Sequence, residues 1–190
     1  MLLLVRHGET PLNRQGLMSG RKDVALTDRG VRQAEEVARS LPVPDRVISS
    51  PLRRTRDTAA AFGCAVEVDE RWIELDYGEF DGRAPASVPG ETWARWRTDP
   101  SYAPPAGESL DTMAARVFAA CADVAEEASR STVVVVTHVS PVKAAIAWAL
   151  GAPIGTSWRM YVEDASVSRV DIGPDGPMLR WFNRQAGRDD

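Results

Sequence analysis

Apolar residues fall along the chain in two alternating rhythms, and the alternation predicts an architecture. Met1-Leu2-Leu3-Leu4-Val5 is a continuous apolar run closed by Arg6, right for a buried first strand and too short for a membrane span. With no basic leader before it, it is not expected to be a signal peptide. Val31, Ala34, Val37, Ala38 and Leu41 then recur at helical spacing, with Thr27 as N-cap and Pro42 and Pro44 as the stop, predicting a helix over 28–41. Arg46-Val47-Ile48-Ser49 predicts a second strand, and Ser50-Pro51 opens a helix with Leu52, Thr55, Ala59 and Phe62 on its packing side. After Gly63, the alternation in Ala65-Val66-Glu67-Val68-Asp69 predicts a third strand, at a sheet edge. Residues 71–108 are irregular and rich in Gly, Pro and Trp, with a short helix expected near 91–98. Ser109 caps a long amphipathic helix whose stripe is Leu110, Met113, Val117, Cys121 and Val124, ending near Ser129. Thr132 to Thr137 is a β-branched run of the kind found in a central strand covered on both faces, and Pro141 is expected to start a helix through Leu150. Segments near 166–172 and 178–182 read as a closing pair of strands.

Strands alternating with helices predict an α/β fold, a three-layer sandwich with a mainly parallel central sheet and helices on both faces. No repeat or linker breaks the pattern, so residues 1–190 read as one domain with a cap or insertion at about 83–107. At 190 residues and 44% hydrophobic, the chain can build a core without disulfide staples. Cys64 and Cys121 are therefore expected as reduced core thiols of a cytoplasmic protein. The 23 Lys and Arg against 27 Asp and Glu leave a net charge of −4, which argues against nucleic-acid binding and makes any positive site local. Lysine occurs only at Lys22 and Lys143, a preference for Arg that, with the abundant Ala, fits a GC-rich bacterial genome.

In sheets of this kind ligands bind beyond the carboxyl ends of the strands. The two histidines both fall there, His7 after the first strand and His138 after the 132–137 run. An isolated histidine is more often a hydrogen-bonded structural residue, but two at equivalent strand ends point to function. Arg53, Arg54 and Arg56 cluster at the start of the helix after the second strand, where backbone N–H groups and guanidinium forks suit a dianionic phosphate. Spacing does not choose among the three, and a solvated helix face is the competing reading. Two histidines without a His-x-x-x-His pair or an Asp-rich motif make a poor transition-metal set, so no metal and no cofactor is expected.

Leu4-Val5-Arg6-His7-Gly8-Glu9-Thr10, followed by Asn13, resembles the signature of the histidine phosphatase superfamily, which contains the cofactor-dependent phosphoglycerate mutases and many small phosphatases. Similar family patterns occur in Leu26-Thr27-Asp28-Arg29-Gly30, in Ser49-Ser50-Pro51-Leu52-Arg53-Arg54, in Glu74 through Gly78, and in Thr137-His138. The resemblance implies a phosphoglycerate mutase-like fold in which His7 is transiently phosphorylated and Arg6, Arg54 and His138 bind the transferring phosphoryl group. It implies that Asn13, Ser19, Gly20 and Arg21 touch phosphate or substrate from the first loop, with a plain surface role equally open for Arg21. It also implies Glu74 as proton donor, with Asp76 as the competing carboxylate. Some relatives carry an aspartate directly after the second histidine; here that position is Val139, which joins the expected substrate contacts without acid chemistry. Gly8 lets the backbone turn beneath the phosphate, or simply ends the strand.

The segments Pro104 to Ser109 and Thr137 to Pro141 look most like small phosphatases, including the α-ribazole phosphatase group. The implied activity is metal-independent hydrolysis of a small-molecule phosphomonoester through a phosphohistidine. A mutase-like phosphoryl transferase dependent on a bisphosphate is one alternative; a phospho-ligand or partner-binding module that lost the chemistry is another. Trp93, Trp96 and Tyr102 of the cap, with Trp72 and Trp158, are candidates to stack on the substrate, against a loop packed on the core. No nucleic acid or membrane partner is expected. A homodimer face is open on the 144–150 helix or the final strands, residues that core packing explains more simply.

Overall fold

The computed structural model describes residues 1–186; residues 187–190, the end of the expected domain, lie outside the described residues. β1 (Leu2–Arg6), β2 (Arg46–Ser49), β3 (Val66–Val68) and β4 (Val133–Thr137) run parallel in the order β3-β2-β4-β1. β5 (Ser166–Gly173) and β6 (Gly176–Gln185) extend the sheet antiparallel beyond β1. The helices are α1 (Pro11–Arg14), α2 (Asp28–Ser40), α3 (Arg53–Ala60), α4 (Gly90–Thr98), α5 (Leu110–Ala128) and α6 (Val139–Leu150).

The two-residue period of the central strands divides the core. Leu3, Val5, Val134 and Val136 share one cluster with Val37 of α2 and Ala59 of α3. Leu2, Leu4, Val133 and Val135 point the other way, into a cluster with Met113 and Val117 of α5 and Ile146 of α6. This is the expected three-layer sandwich. Side-chain caps set the helix starts: Thr27 Oγ1 accepts from the Gly30 N–H at 3.1 Å, and Ser109 Oγ accepts from the Thr112 N–H at 3.1 Å.

Several boundaries differ from expectation. α6 begins at Val139 with His138 at its N-cap, two residues before Pro141, which occupies the first turn, where its missing N–H has no intrahelical carbonyl to meet. Phe62 lies beyond α3, and β3 is only three residues long. Cys64, expected in the core, is exposed in the turn between α3 and the edge strand β3, whereas Cys121 is buried. α1 has no apolar stripe to announce it and is made by Pro11 and a Thr10–Asn13 capping box. Ala144, Ala145, Ile146, Ala147 and Ala149 are buried in the core, leaving Leu150 exposed on that helix. Among the described residues no helix is long and apolar enough to cross a membrane.

The passage after β1 is held by main chain on main chain. A Cβ on Gly8 would collide with the Gly30 carbonyl oxygen, and one on Gly30 with that of Glu9. Neither glycine has a positive φ, so at Gly8 the requirement is close approach to α2 and not a special turn. The Thr27 N–H donates to the same Glu9 carbonyl at 2.9 Å, completing the join. In an ordinary helix Gly→Ala gains roughly 0.5–1 kcal/mol. Gly30→Ala is expected instead to lose about 1–3 kcal/mol, the range for overpacking. Denaturant unfolding measures it, and unchanged or higher stability would show that the two segments part freely.

Candidate active site

Three parallel strands end level with one another. Arg6 is the register partner of Thr137, and Ser49 that of Val136. The pairing continues one residue on: the His7 N–H donates to the Thr137 carbonyl at 3.0 Å and the Ser50 N–H to the Val136 carbonyl at 3.1 Å. His7, His138 and Ser50 are thereby brought side by side, all buried, with the two imidazole centroids 5.2 Å apart.

The side chain that joins them is Arg54. Of the three arginines clustered at the start of α3, Arg53 and Arg56 are exposed and Arg54 is fully buried, which makes the choice that spacing left open. Its Nε–H is shared between His7 Nε2 and His138 Nδ1, each at 3.2 Å. An arginine N–H can only donate, so both ring nitrogens present lone pairs. The protons then sit on the opposite nitrogens: His7 Nδ1–H donates to the Gly8 carbonyl at 2.8 Å, and His138 Nε2–H to Ser50 Oγ at 2.7 Å. Burial is the main cause of a His7 pKa well below the ordinary histidine value, with Arg54 and Arg6 adding to it and the Gly8 carbonyl opposing. Burial likewise holds His138 low, reinforced by Arg54. Both imidazoles are neutral at neutral pH.

The rest of the Arg54 guanidinium donates to the carbonyls of Lys22 and Gly20, each at 2.7 Å, and of Ser19 at 3.4 Å. This places Ser19 and Gly20 against the arginine through their main chain. Asp81 holds the same loop from the other side, accepting from the Gly20 N–H at 2.8 Å and the Lys22 N–H at 3.0 Å. Arg6 donates to the Val162 carbonyl at 2.7 Å and pairs with Asp164 at 2.6 Å. Arg6 Nε and Ser19 Oγ are buried donors with no partner among the described residues, an arrangement suited to an anion. Asn13 spends its carbonyl oxygen on Thr10, 3.0 Å from the N–H and 2.7 Å from the hydroxyl. Arg21 is turned elsewhere, half-exposed between Asp76 and Glu108.

Glu74 is buried at 3% exposure. Its Oε1 accepts from the N–H of Leu75 at 2.8 Å and of Ser140 at 3.1 Å, which sets the carboxyl at the first turn of α6, two residues from His138. Asp76 closes its own turn by accepting from the Gly78 N–H and faces Arg21. The segment bearing Glu74 is tied down by Arg116 of α5, which donates to the carbonyls of Arg71 at 2.6 Å and Ile73 at 2.7 Å, and by Thr137, whose hydroxyl donates to the Trp72 carbonyl at 2.6 Å.

Val139 and Ser140 open onto a cavity of about 230 Å³ whose walls include Leu75, Tyr77, Trp93 and Trp158. Trp72 and Trp96 are fully buried, which removes them from the candidates to stack on a ligand. Tyr102 is half-buried, beneath the guanidinium of Arg95 and outside the cavity lining. Among the described residues no group of three or more His, Cys, Asp or Glu side chains is placed to hold a metal ion.

Sequence reasoning passed over Ser50, Asp81, Arg116 and Asp164. Ser50 had a usable signal, since it follows β2 as His7 follows β1; the others act across long stretches of chain and leave no local trace.

Known proteins share the sequence pattern and the fold. The bifunctional protein Rv2228c of Mycobacterium tuberculosis is 36% identical over 185 residues, covering 92% of this chain, and the chain spans about half (51%) of that relative's length. Phosphoserine phosphatase from Entamoeba histolytica in complex with 3-phosphoglyceric acid superposes with a TM-score of 0.90 at 25% identity, covering 97% of this chain and 96% of that one. The alpha-ribazole phosphatase from Shigella flexneri superposes with a TM-score of 0.85 at 28% identity, covering 100% of this chain and 99% of that one. The sequence profile of one family matches residues 2–185, nearly the whole of the fold described above, and the chain belongs to that family, the histidine phosphatase superfamily (branch 1).

Proposed function

We propose that the chain hydrolyses small-molecule phosphomonoesters through a phosphohistidine on His7, with Glu74 as the proton donor and no metal. The observation that carries this reading is the single Arg54 N–H shared by His7 Nε2 and His138 Nδ1. A phosphoryl oxygen arriving at that N–H takes it over and releases the His7 lone pair for attack. His7 Nδ1–H stays on the Gly8 carbonyl, which steadies the ring and the positive charge that develops on it.

In the first step His7 Nε2 bonds to phosphorus, the ester P–O bond breaks, and the departing oxygen takes a proton from Glu74. Arg6, Arg54 and His138 stabilise the charge on the equatorial oxygens, His138 in the tautomer that carries its proton on Nδ1, with the Ser50 hydroxyl then donating to Nε2. Asn13, with an amide nitrogen left free by its capping box, and Ser19 add donors from the first loop, with Gly20 shaping it. In the second step water attacks the phosphohistidine, gives its proton to Glu74, and the P–N bond breaks to regenerate neutral His7. The leaving group sits in the cavity beside Val139, which residues 83–107 cap through Trp93. Residues 1–190 then work as one domain. The phosphatase names of the two structural neighbours support hydrolysis over transfer.

Phosphate release from a panel of phosphomonoesters, without metal or bisphosphate, tests the reading. His7→Ala is expected to lower turnover by at least about 10³-fold and Glu74→Gln by roughly 10²–10⁴-fold. Turnover surviving in His7→Ala overturns the phosphohistidine, and turnover only with added bisphosphate makes the protein a transferase.

The lowered histidine pKa values give a second test. Below about pH 6.5 an unfolded histidine binds a proton that the buried one refuses, so stability must fall as pH drops through that range. Each histidine contributes up to about 1.4 kcal/mol per pH unit. Denaturant unfolding of His7→Gln between pH 6.5 and 5 is expected to show a smaller acid loss than the wild type; an equal loss contradicts a neutral His7.

A further inference from the structure

The cavity beside the proton donor contains one charged side chain, and the mechanism above does not use it. Lys143 lies on α6 four residues after Val139 and three after Ser140, so helical spacing puts all three on one face, and all three line the cavity. Ser140 holds Glu74 through its N–H. Lys143 therefore stands one helical turn farther from the phosphoryl centre than the proton donor, on the side where the leaving group must lie. The other walls are chiefly apolar and aromatic: Met18, Leu75, Tyr77, Trp93 and Trp158.

A half-buried ammonium in such walls requires a reason. Burial lowers the Lys143 pKa, Glu74 opposes that effect at a distance, and no hydrogen bond contributes. Among the described residues Lys143 has no ion-pair partner, and its simplest structural use, bracing Glu74, is already met by main chain, because the N–H groups of Leu75 and Ser140 hold that carboxyl. The residue type is also unusual for this chain, which otherwise carries its positive charge on arginine, with Lys22 exposed on the surface. A lysine supplies a compact charge on a flexible stem, where a guanidinium would fill more of a 230 Å³ cavity.

We propose that Lys143 recognises an anionic group on the leaving group, so that the preferred substrates join a phosphomonoester to an apolar body bearing a second negative charge, a carboxylate or another phosphate. The apolar body rests against Trp93 and Trp158, which pack edge to face with centroids 6.0 Å apart, and the second anion supplies the partner that Lys143 lacks. The inference rests on the functional reading above for the placement of the leaving group. It makes Lys143 a specificity residue, with no part in bond making or breaking.

Binding of inert phosphonates separates this inference from the hydrolytic one. Benzylphosphonate, 4-carboxybenzylphosphonate and 1,4-xylylenediphosphonate would be titrated into the intact protein, read by the fluorescence of the cavity tryptophans and confirmed by calorimetry. The wild type is expected to bind one or both doubly anionic ligands about tenfold or more tightly than benzylphosphonate, the size of a charge-assisted hydrogen bond. Which of the two gains more distinguishes carboxylate from phosphate. Lys143→Met should erase the preference and Lys143→Arg retain part of it. Equal affinity for all three in the wild type, a preference undiminished in Lys143→Met, or no binding of the doubly charged ligands overturns the assignment. A preference that depends on Lys143 in a protein that hydrolyses no ester upholds the subsite and removes only the phosphatase reading.

Discussion

The site depends on a guanidinium shut away from water. A buried charge is tolerated only when its surroundings satisfy it, and Arg54 is satisfied at every nitrogen: two imidazoles at Nε and three loop carbonyls at its terminal nitrogens. Burial lowers its pKa, while Glu74, Asp81 and Asp23 act the other way. The network orients three things together: the tautomers of both histidines, the path of residues 19–22, and the start of α3. None of these could be rearranged without stranding the charge.

Around that charge the protein divides its labour between rigid and irregular parts. His7, Ser50 and His138 stand at the carboxyl ends of β1, β2 and β4, where parallel register fixes their spacing. The carboxyl group comes from a stretch without regular structure and is steadied by Arg116 and Thr137. The cavity beside Val139 draws on more distant parts of the chain, from Met18 to Trp158. Loops of this kind can vary in sequence while the strand ends stay as they are, so a phosphate site of one geometry can serve many alcohols.

Much of this was legible in the sequence, for identifiable reasons. Leu2 to Val5 and Val133 to Val136 announce buried central strands because burial on both faces demands unbroken apolar runs, and a histidine directly after such a run has few places to be except the sheet's ligand-binding edge. The helix starts at Asp28 and Leu110 were readable from Thr27 and Ser109, because capping is a local interaction. Arg54 could not be separated from Arg53 and Arg56 without the path of the 19–22 loop. Glu74 resembled a surface acid until the family pattern marked it, since its burial depends on α6, more than sixty residues later in the chain. Asp164, which pairs with Arg6, lies near the opposite end of the chain. Periodicity reports which face of an element is covered and stays silent on what covers it.

The contact between Gly8 and Gly30 bears on motion as well as on packing. Side chains that interlock can repack one at a time, whereas two backbones in direct contact can separate only by moving whole segments. The loop that follows His7 therefore has no small-amplitude way to breathe. Its opening is coupled to release of the first turn of α2, and local fluctuation at His7 becomes a cooperative event shared with a helix thirteen residues long.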